Sequence, residues 1–307
     1  MMRFFLTRLA GAIPTLLIIV TATFFLMRAA PGGPFDQEQT LPPEIIANLQ
    51  SAYGLDQPIW IQYGRYLRSL VHGDFGPSFK YKDFSVTELI AQGFPVTLEL
   101  GVVAIALALA IGIPLGVFAA LRHNRAADHG AMLIAVVGIA IPSFVVLPFL
   151  GLVFGIKLHW LPVAGWEPNS PRYLLLPVIA LALPPLAYIA RMTRGSMLEV
   201  LRSDFIRTAR AKGLPLRSII LTHALRPALI PVASYLVPAV AAIMTGSLVV
   251  ESIAGLPGIG RYLVQGALNR DYTLVLGMVI IYSTLLIGMG LLVDLLYVWL
   301  DPRIGRR

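Results

Sequence analysis

The sequence predicts an all-α integral membrane protein of six transmembrane helices with both termini on the cytoplasmic side. Three observations carry this expectation. Of 307 residues, 57% are hydrophobic and only 13% charged, against roughly 25% charged in soluble proteins. The shortage of charge is concentrated in long uncharged runs. A helix needs about 20 apolar residues to cross a bilayer, where its backbone must satisfy its own hydrogen bonds. Finally, the lysines and arginines cluster in alternate connections between those runs, which is how membrane topology is encoded.

The six runs are Leu9–Met27, Val96–Ala120, Ala131–Ile156, Tyr173–Ala190, Pro227–Val250 and Tyr272–Leu300. Arg8 and Arg28 flank the first. The second is apolar except for Glu99, the third is uncharged, and the fourth, lying between Arg172 and Arg191, is the shortest. The fifth ends at Glu251, and Asp294 alone interrupts the sixth. With both termini inside, the inner segments hold Arg3 and Arg8, Arg122 and Arg125, eight basic residues from Arg191 to Arg226, and Arg303, Arg306 and Arg307. The short outer loops hold only Lys157, Arg172, Arg261 and Arg270. Trp160, Trp166 and Tyr173 fit anchors at the outer interface. Arg28-Ala29-Ala30 imitates the end of a signal peptide, but Arg28 and Pro31 spoil the small-residue cleavage pattern. A retained first helix over 1–28 is the expectation.

The segment 29–93 reads as a small outer cap. Pro31-Gly-Gly-Pro34 stops the first helix, since proline cannot continue it and glycine disfavours it. Pro42-Pro43-Glu44 opens a short amphipathic helix. Trp60, Tyr63, Tyr66 and Leu67 recur at helical spacing and predict a second one, and Gly73-Asp74-Phe75-Gly76-Pro77 is a turn cluster. Such a cap packs on the membrane domain or docks a soluble partner. The five-helix core is then 94–302, with a tail at 303–307. Pro142, Pro148, Pro184 and Pro185 are expected to bend or locally unwind their spans.

The most informative stretch is the inner loop 191–226, far longer than the roughly 2–8 residues that join packed helices. Within it, Phe205-Ile206-Arg207-Thr208-Ala209-Arg210-Ala211-Lys212-Gly213 reads as a short basic helix closed by a glycine that tolerates a left-handed cap. Pro215 begins the next helix, and Leu216–Leu225 leads into the fifth span. An amphipathic helix held by anionic lipid has the same pattern.

Arg207-Thr208-Ala209, three residues, Gly213, nine residues and then His223-Ala224-Leu225-Arg226 resembles the coupling motif of binding-protein-dependent ABC importer permeases. The general motif there is Glu-Ala-Ala, three residues, Gly, nine residues, Ile-x-Leu-Pro; the departures seen in this chain are those of the peptide-transport subgroup. Thr40–Glu44, His72–Asp83, Ile141–Phe144, Leu256–Gly260, Ala267–Tyr272 and Asp301-Pro302 extend the resemblance, specifically to the B subunits of oligopeptide permeases, over the whole chain.

The resemblance implies a type I ABC importer permease fold in a bacterial inner membrane. It implies a heterodimer with a homologous C-type permease, two ABC ATPase subunits that hold the ATP and magnesium, and an extracytoplasmic peptide-binding protein. Arg202, Phe205, Arg207, Thr208, Ala209, Arg210, Ala211, Lys212 and Gly213 would then couple to the ATPases. Related permeases for dipeptides, glutathione or nickel are the alternative within the family. An ion-coupled secondary transporter would call for midplane ionisable residues and internal repeats, which the chain lacks.

No chemistry of its own is legible. Lys80, Lys82, Lys157 and Lys212 are the only lysines, and none follows a glycine, so the phosphate-binding loop pattern is missing. The five histidines are scattered, which argues against a zinc site, and there is no Gly-x-Ser-x-Gly elbow. With no cysteine, disulfides and thiolate sites are excluded. The net charge of +8 lies in short loops beside apolar runs rather than on a nucleic-acid-binding face. Glu99, one turn into its span, is the candidate for lining a pathway. Glu251 is a weaker one, because at an outer helix end solvent would relieve its cost. Asp294 reads as structural.

Overall fold

The computed structural model describes residues 2–29, 43–81, 83–168 and 170–300, without the side chains of 2–9, 43, 46, 49, 52 and 297–300. The expectations placed on Pro31–Pro34, on Thr40–Pro42 and on the 303–307 tail lie outside the described residues. Among those described, the chain is helical apart from one isolated bridge, Pro77 with Ser85. Among the described residues five helices are long and apolar enough to span a membrane, or six if the bent pair Ala126–Ala140 and Ser143–Lys157 counts as one span. The chain divides into two compact units, one built mainly from residues 98–256 and the other from residues 10–97 and 257–284.

The second of these units contains α1 (Met2–Ala29) from Ala10 on, α2 (Pro43–Ala52), α3 (Ile59–Val71) and the start of α4 (Val86–Leu121). It also holds a short helix from Ile259 to Leu268 and the first half of the last helix, Tyr272–Leu300. Both predicted cap helices are present. Val86, Leu89 and Ile90, at helical spacing on α4, bury against Ile259, Tyr262, Leu274 and Met278. Val20 and Phe24, one turn apart on α1, bury against Tyr66, Leu276 and Ile280. Tyr66 lies inside as its spacing predicts, whereas Trp60 is 70% exposed. Helix α4 starts at Val86, ahead of the boundary expected at 93, because Ser85 and Glu88 form a reciprocal cap: the Ser85 N–H donates to Glu88 Oε2 at 2.8 Å and the Glu88 N–H to Ser85 Oγ at 3.2 Å.

The other unit contains the rest of α4 with α5 (Ala126–Ala140), α6 (Ser143–Leu150) and α7 (Arg172–Leu201). Helices α8 (Asp204–Ala211), α9 (Leu216–Ser218), α10 (Leu225–Ala228) and α11 (Ile230–Ala254) follow. The Ile259–Leu268 and Tyr272–Leu300 helices are α12 and α13. Helix α7 is central: 61% of its most apolar window is buried, against 11% for α1.

The proline expectations divide here. The third run bends as expected, with α5 and the segment beginning at α6 meeting at 103°. Pro142 caps α6, and Ile141 before it is extended (φ −96°, ψ 120°), because a residue preceding proline is driven out of the helical region. After Pro148 the helix widens into a π-turn, Gly151–Lys157. In contrast, α7 runs unbroken for 30 residues through Pro177, Pro184 and Pro185. The helix also continues past Ala190 to Leu201, so the first third of the 191–226 loop is an extension of the span.

Candidate functional site

The 191–226 segment is built on the end of α7. After Leu201 the chain turns through Arg202, and Ser203 (φ −70°, ψ 157°) caps α8, its carbonyl accepting from the Arg207 N–H at 3.1 Å. Asp204 in the first turn and Arg210 in the last each complement the helix dipole. The exit is fully specified. Gly213 adopts φ +77°; its N–H donates to Arg210 O at 2.9 Å, and the Leu214 N–H reaches back to Ala209 O at 3.3 Å. This pair of bonds is the Schellman motif, which needs a left-handed residue at that position. Pro215 caps the next helix from the extended region (φ −65°, ψ 146°), so it stands one residue before the helix it was expected to begin.

Helix α8 has one buried face. Ile206 and Ala209 pack with Met197, Ile219, Ala224 and Ala228, and with Ala120 at the end of α4. Its other face is open: Arg202, Arg207, Thr208, Arg210, Ala211, Lys212 and Gly213 are exposed, as are Phe205 at 50%, Leu214 at 37% and Leu216 at 56%. Eight of the nine residues predicted for coupling therefore share the accessible surface, and Ala209 does not; it is 8% exposed and turns into the core. Arg207 pairs with Asp204 one turn back. That pair is exposed and holds the arginine only weakly.

An ion pair on a buried carboxylate anchors the first turn of the segment to α5. Asp128, fully buried, accepts from Arg194 Nε at 2.5 Å and Nη2 at 2.7 Å, and from the Asn124 N–H at 2.9 Å. His123 Nδ1 lies 3.6 Å from the same carboxylate. Helices α4 and α7 approach closely above it, since a Cβ on Gly116 would stand 2.5 Å from Ala190 O, and one on Gly112 2.8 Å from Leu186 O.

The pathway candidates are placed differently. Glu99 is exposed well inside α4, not one turn from its start. Glu251 is fully buried in α11, so solvent does not relieve its cost as expected; packing covers its face of the last turn before the left-handed Gly255 (φ +69°), while Ser252 and Ile253 stay exposed. Asp294 is half-buried.

Three features escaped sequence reasoning. Gly112-Ile-Pro-Leu-Gly116 is a small-xxx-small pattern that was open to reading. Asp271 before an apolar run is likewise an N-cap signal: it is fully buried, caps α13 by accepting from the Leu274 N–H at 3.1 Å, and binds Ser78 Oγ at 2.5 Å and the Phe79 N–H at 3.0 Å. The Asp128–Arg194 pair, 66 positions apart, leaves no local signal. Among the described residues no group of three or more His, Cys, Asp or Glu is gathered as a metal site. The 191–226 surface is suited to binding a partner, being basic, partly apolar and rigidly backed.

Comparison with known proteins agrees over the full length. Residues 112–306 match the family described as binding-protein-dependent transport system inner membrane component, and residues 1–101 match the N-terminal region of such membrane components. The chain is 55% identical over 304 residues to the oligopeptide transport system permease protein OppB of Escherichia coli K12, covering 99% of both chains. It is 52% identical to OppB of Haemophilus influenzae, covering 99% of both. Identity to the dipeptide transport system permease protein DppB of Bacillus subtilis is 47%, covering 99% of this chain and 98% of that one. Among solved structures the fold is similar to a chain of the MetNI methionine ABC transporter in inward-facing conformations, with TM-score 0.55 and 17% identity, covering 69% of this chain and 96% of that one. With two family profiles and full-length relatives in agreement, the chain belongs to the binding-protein-dependent transport system inner membrane components, as an ABC importer permease of the OppB/DppB type.

Proposed function

We propose that this permease forms one half of a pathway that carries oligopeptides across a bacterial inner membrane by alternating access. A homologous C-type permease would supply the other half, two ABC ATPase subunits holding ATP and magnesium the force, and an extracytoplasmic binding protein the peptide. Basic residues around α8 also meet the headgroups of anionic lipid. The placement of positive charge supports an arrangement with both termini and α8 inside and the 29–93 cap outside. Identity to peptide permeases over nearly the whole chain supports the substrate class.

The observation that carries the coupling role is the geometry of α8. Its apolar face is locked into a core continuous with the end of α4 and the long helix α7, so a push on the exposed face moves those helices rather than a loose loop. Glu99 supports the pathway role, because an exposed carboxylate within a spanning helix is costly against hydrocarbon, by about 2.5 kcal/mol or more at the bilayer centre, and such residues face a cavity or a partner. Burial of Glu251 fits an internal role.

Uptake of peptides of graded length by a deletion strain, with ATPase activity read in parallel, tests both claims. A Cβ on Gly213 meets nothing within 4 Å, so Gly213→Val acts through its φ alone, at a cost of about 1–2 kcal/mol. We expect this variant to lose uptake while ATP hydrolysis continues, and Gly213→Asn, which tolerates the left-handed region, to retain most of it. Normal uptake by the valine variant would end the coupling assignment. Growth restored only by dipeptides would favour the second reading, which the identity to DppB supports.

A further inference from the structure

Helix α5 meets α7 along a face of small side chains. Asp128, Ala131 and Ala135 are its buried residues, and Gly138 continues the stripe, since 128, 131, 135 and 138 recur at helical spacing. A Cβ on Gly138 would stand 3.4 Å from Ala187 Cβ and 3.5 Å from Leu183 O, both on α7. Small residues let two helices approach closely, and in a membrane that closeness holds them together. Alanine and glycine raise only low ridges for a facing groove, so the seam resists separation better than it resists sliding.

A polar lock fixes the position along the seam at one end. Asp128 lies in the first turn of α5, and Arg194 in the part of α7 that runs on past Ala190. The guanidinium donates from Nε to Oδ1 at 2.5 Å and from Nη2 to Oδ2 at 2.7 Å, a fork that specifies angle as well as distance. Asp128 is fully buried, and its Oδ2 also accepts the Asn124 N–H at 2.9 Å, with Asn124 at φ +60° in the turn between α4 and α5. One carboxylate thus ties together the turn after α4, the start of α5 and the extension of α7. Among the described residues no other ion pair joins α5 to α7. On the next turn of α7, Met197 and Leu198 pack in one cluster with Ile206 and Ala209 of α8. The backing of α8 and the lock on α5 therefore stand on successive turns of one helix.

We infer that Arg194 and Asp128 are positioning residues for coupling: the pair locks the register of α5 against α7, so that a displacement of α8 carried by α7 also moves the bent α5–α6 span. The two halves of that span meet at 103°, and α6 itself packs on α7 and α11. Were α5 free to slip along α7, the displacement would be absorbed in the bend and would not reach α6. What is transmitted rests on the coupling role proposed for α8; the rigid link between α5 and α7 does not.

The chain has no cysteine, so labels can be introduced without removing any. Gly130 on α5 and Gly195 on α7 are exposed, and a Cβ on either meets nothing within 4 Å. Spin labels on Gly130→Cys and Gly195→Cys report the separation of the two helices by electron paramagnetic resonance, in the complex assembled with the second permease and the ATPases in lipid nanodiscs. We expect one narrow distribution that stays unchanged when a non-hydrolysable ATP analogue is added, and a broadened or shifted one in Asp128→Asn. In proteoliposomes, Asp128→Asn should lower the peptide taken up per ATP hydrolysed by about twofold or more. Arg194→Lys, which keeps the charge and loses the fork, should do the same. Loss of folded complex alone lowers uptake and hydrolysis in proportion and leaves their ratio intact. Should Asp128→Asn fail to assemble, Arg194→Lys carries both readouts.

A label separation that changes with nucleotide while Asp128 and Arg194 are intact overturns the proposal. So does a normal ratio of uptake to hydrolysis in the variants that assemble. If the complex with the native pair hydrolyses ATP but takes up no peptide, the import reading fails on its own, and the label separations still decide the lock.

Discussion

The carboxylate of Asp271 joins the start of α13 to a loop nearly two hundred positions earlier. One oxygen caps α13 through the Leu274 N–H; the other gathers Ser78 Oγ and the Phe79 and Lys80 N–H groups. Burying a carboxylate is costly unless its acceptor sites are filled, and here neutral donors fill them. Asp271→Ala should destabilise the protein by about 2 kcal/mol, combining a lost cap with orphaned donors. Asp271→Asn keeps the α13 cap through its amide oxygen but sets an NH2 donor against the Phe79 and Lys80 N–H groups, so a similar loss is expected. Hydrogen exchange at 77–81, compared with that at α7, checks whether the loop is released. The cap was readable from an aspartate before an apolar run. Its second set of partners was not, because Ser78 lies in a turn cluster with no pattern that names Asp271.

At the level of elements, the close crossing of α4 and α7 is where the proposed force on the 191–226 segment would pass into the rest of its unit. In a membrane, helices associate by packing and hydrogen bonding rather than by escape from water, so small residues that let backbones approach are worth more than bulky apolar ones. Gly116→Ala places a methyl 2.5 Å from Ala190 O and 2.6 Å from Thr193 Cβ, and neither atom is the end of a flexible chain. A loss of about 1–3 kcal/mol is expected from this overpacking. Gly195→Ala on α7, where a Cβ meets nothing within 4 Å, should be neutral or gain about 0.5–1 kcal/mol. Thermal unfolding of the two variants in detergent gives the comparison. Helix α8 itself was legible in detail: its basic composition, glycine stop and following proline foretold the helix, the left-handed cap and the restart. The inward turn of Ala209 was hidden, since alanine carries no signal of burial on a helix this short. The break between α5 and α6 was half legible, as Pro142 marked the place and the 103° angle came from packing.

At the scale of the whole molecule, the chain offers an exposed basic surface around α8. Phe205, half exposed between Arg202 and Arg207 on a rigid support, has the character of an interface anchor, an aromatic ring beside arginines. Phe205→Ser should weaken retention of ATPase subunits on co-purification by about tenfold, and high salt should weaken it further if the surrounding arginines contribute. Undiminished co-purification would locate the main contact elsewhere. Hydropathy and the placement of basic residues were enough for the helical class and for the position of the apolar runs, because a helix in hydrocarbon must be long, apolar and internally bonded whatever it packs against. The angle of the bend in the third span, the burial of Glu251 and the Asp128–Arg194 pair became visible only in three dimensions. Each depends on residues far apart in the chain meeting at a particular distance, and no local pattern encodes that meeting.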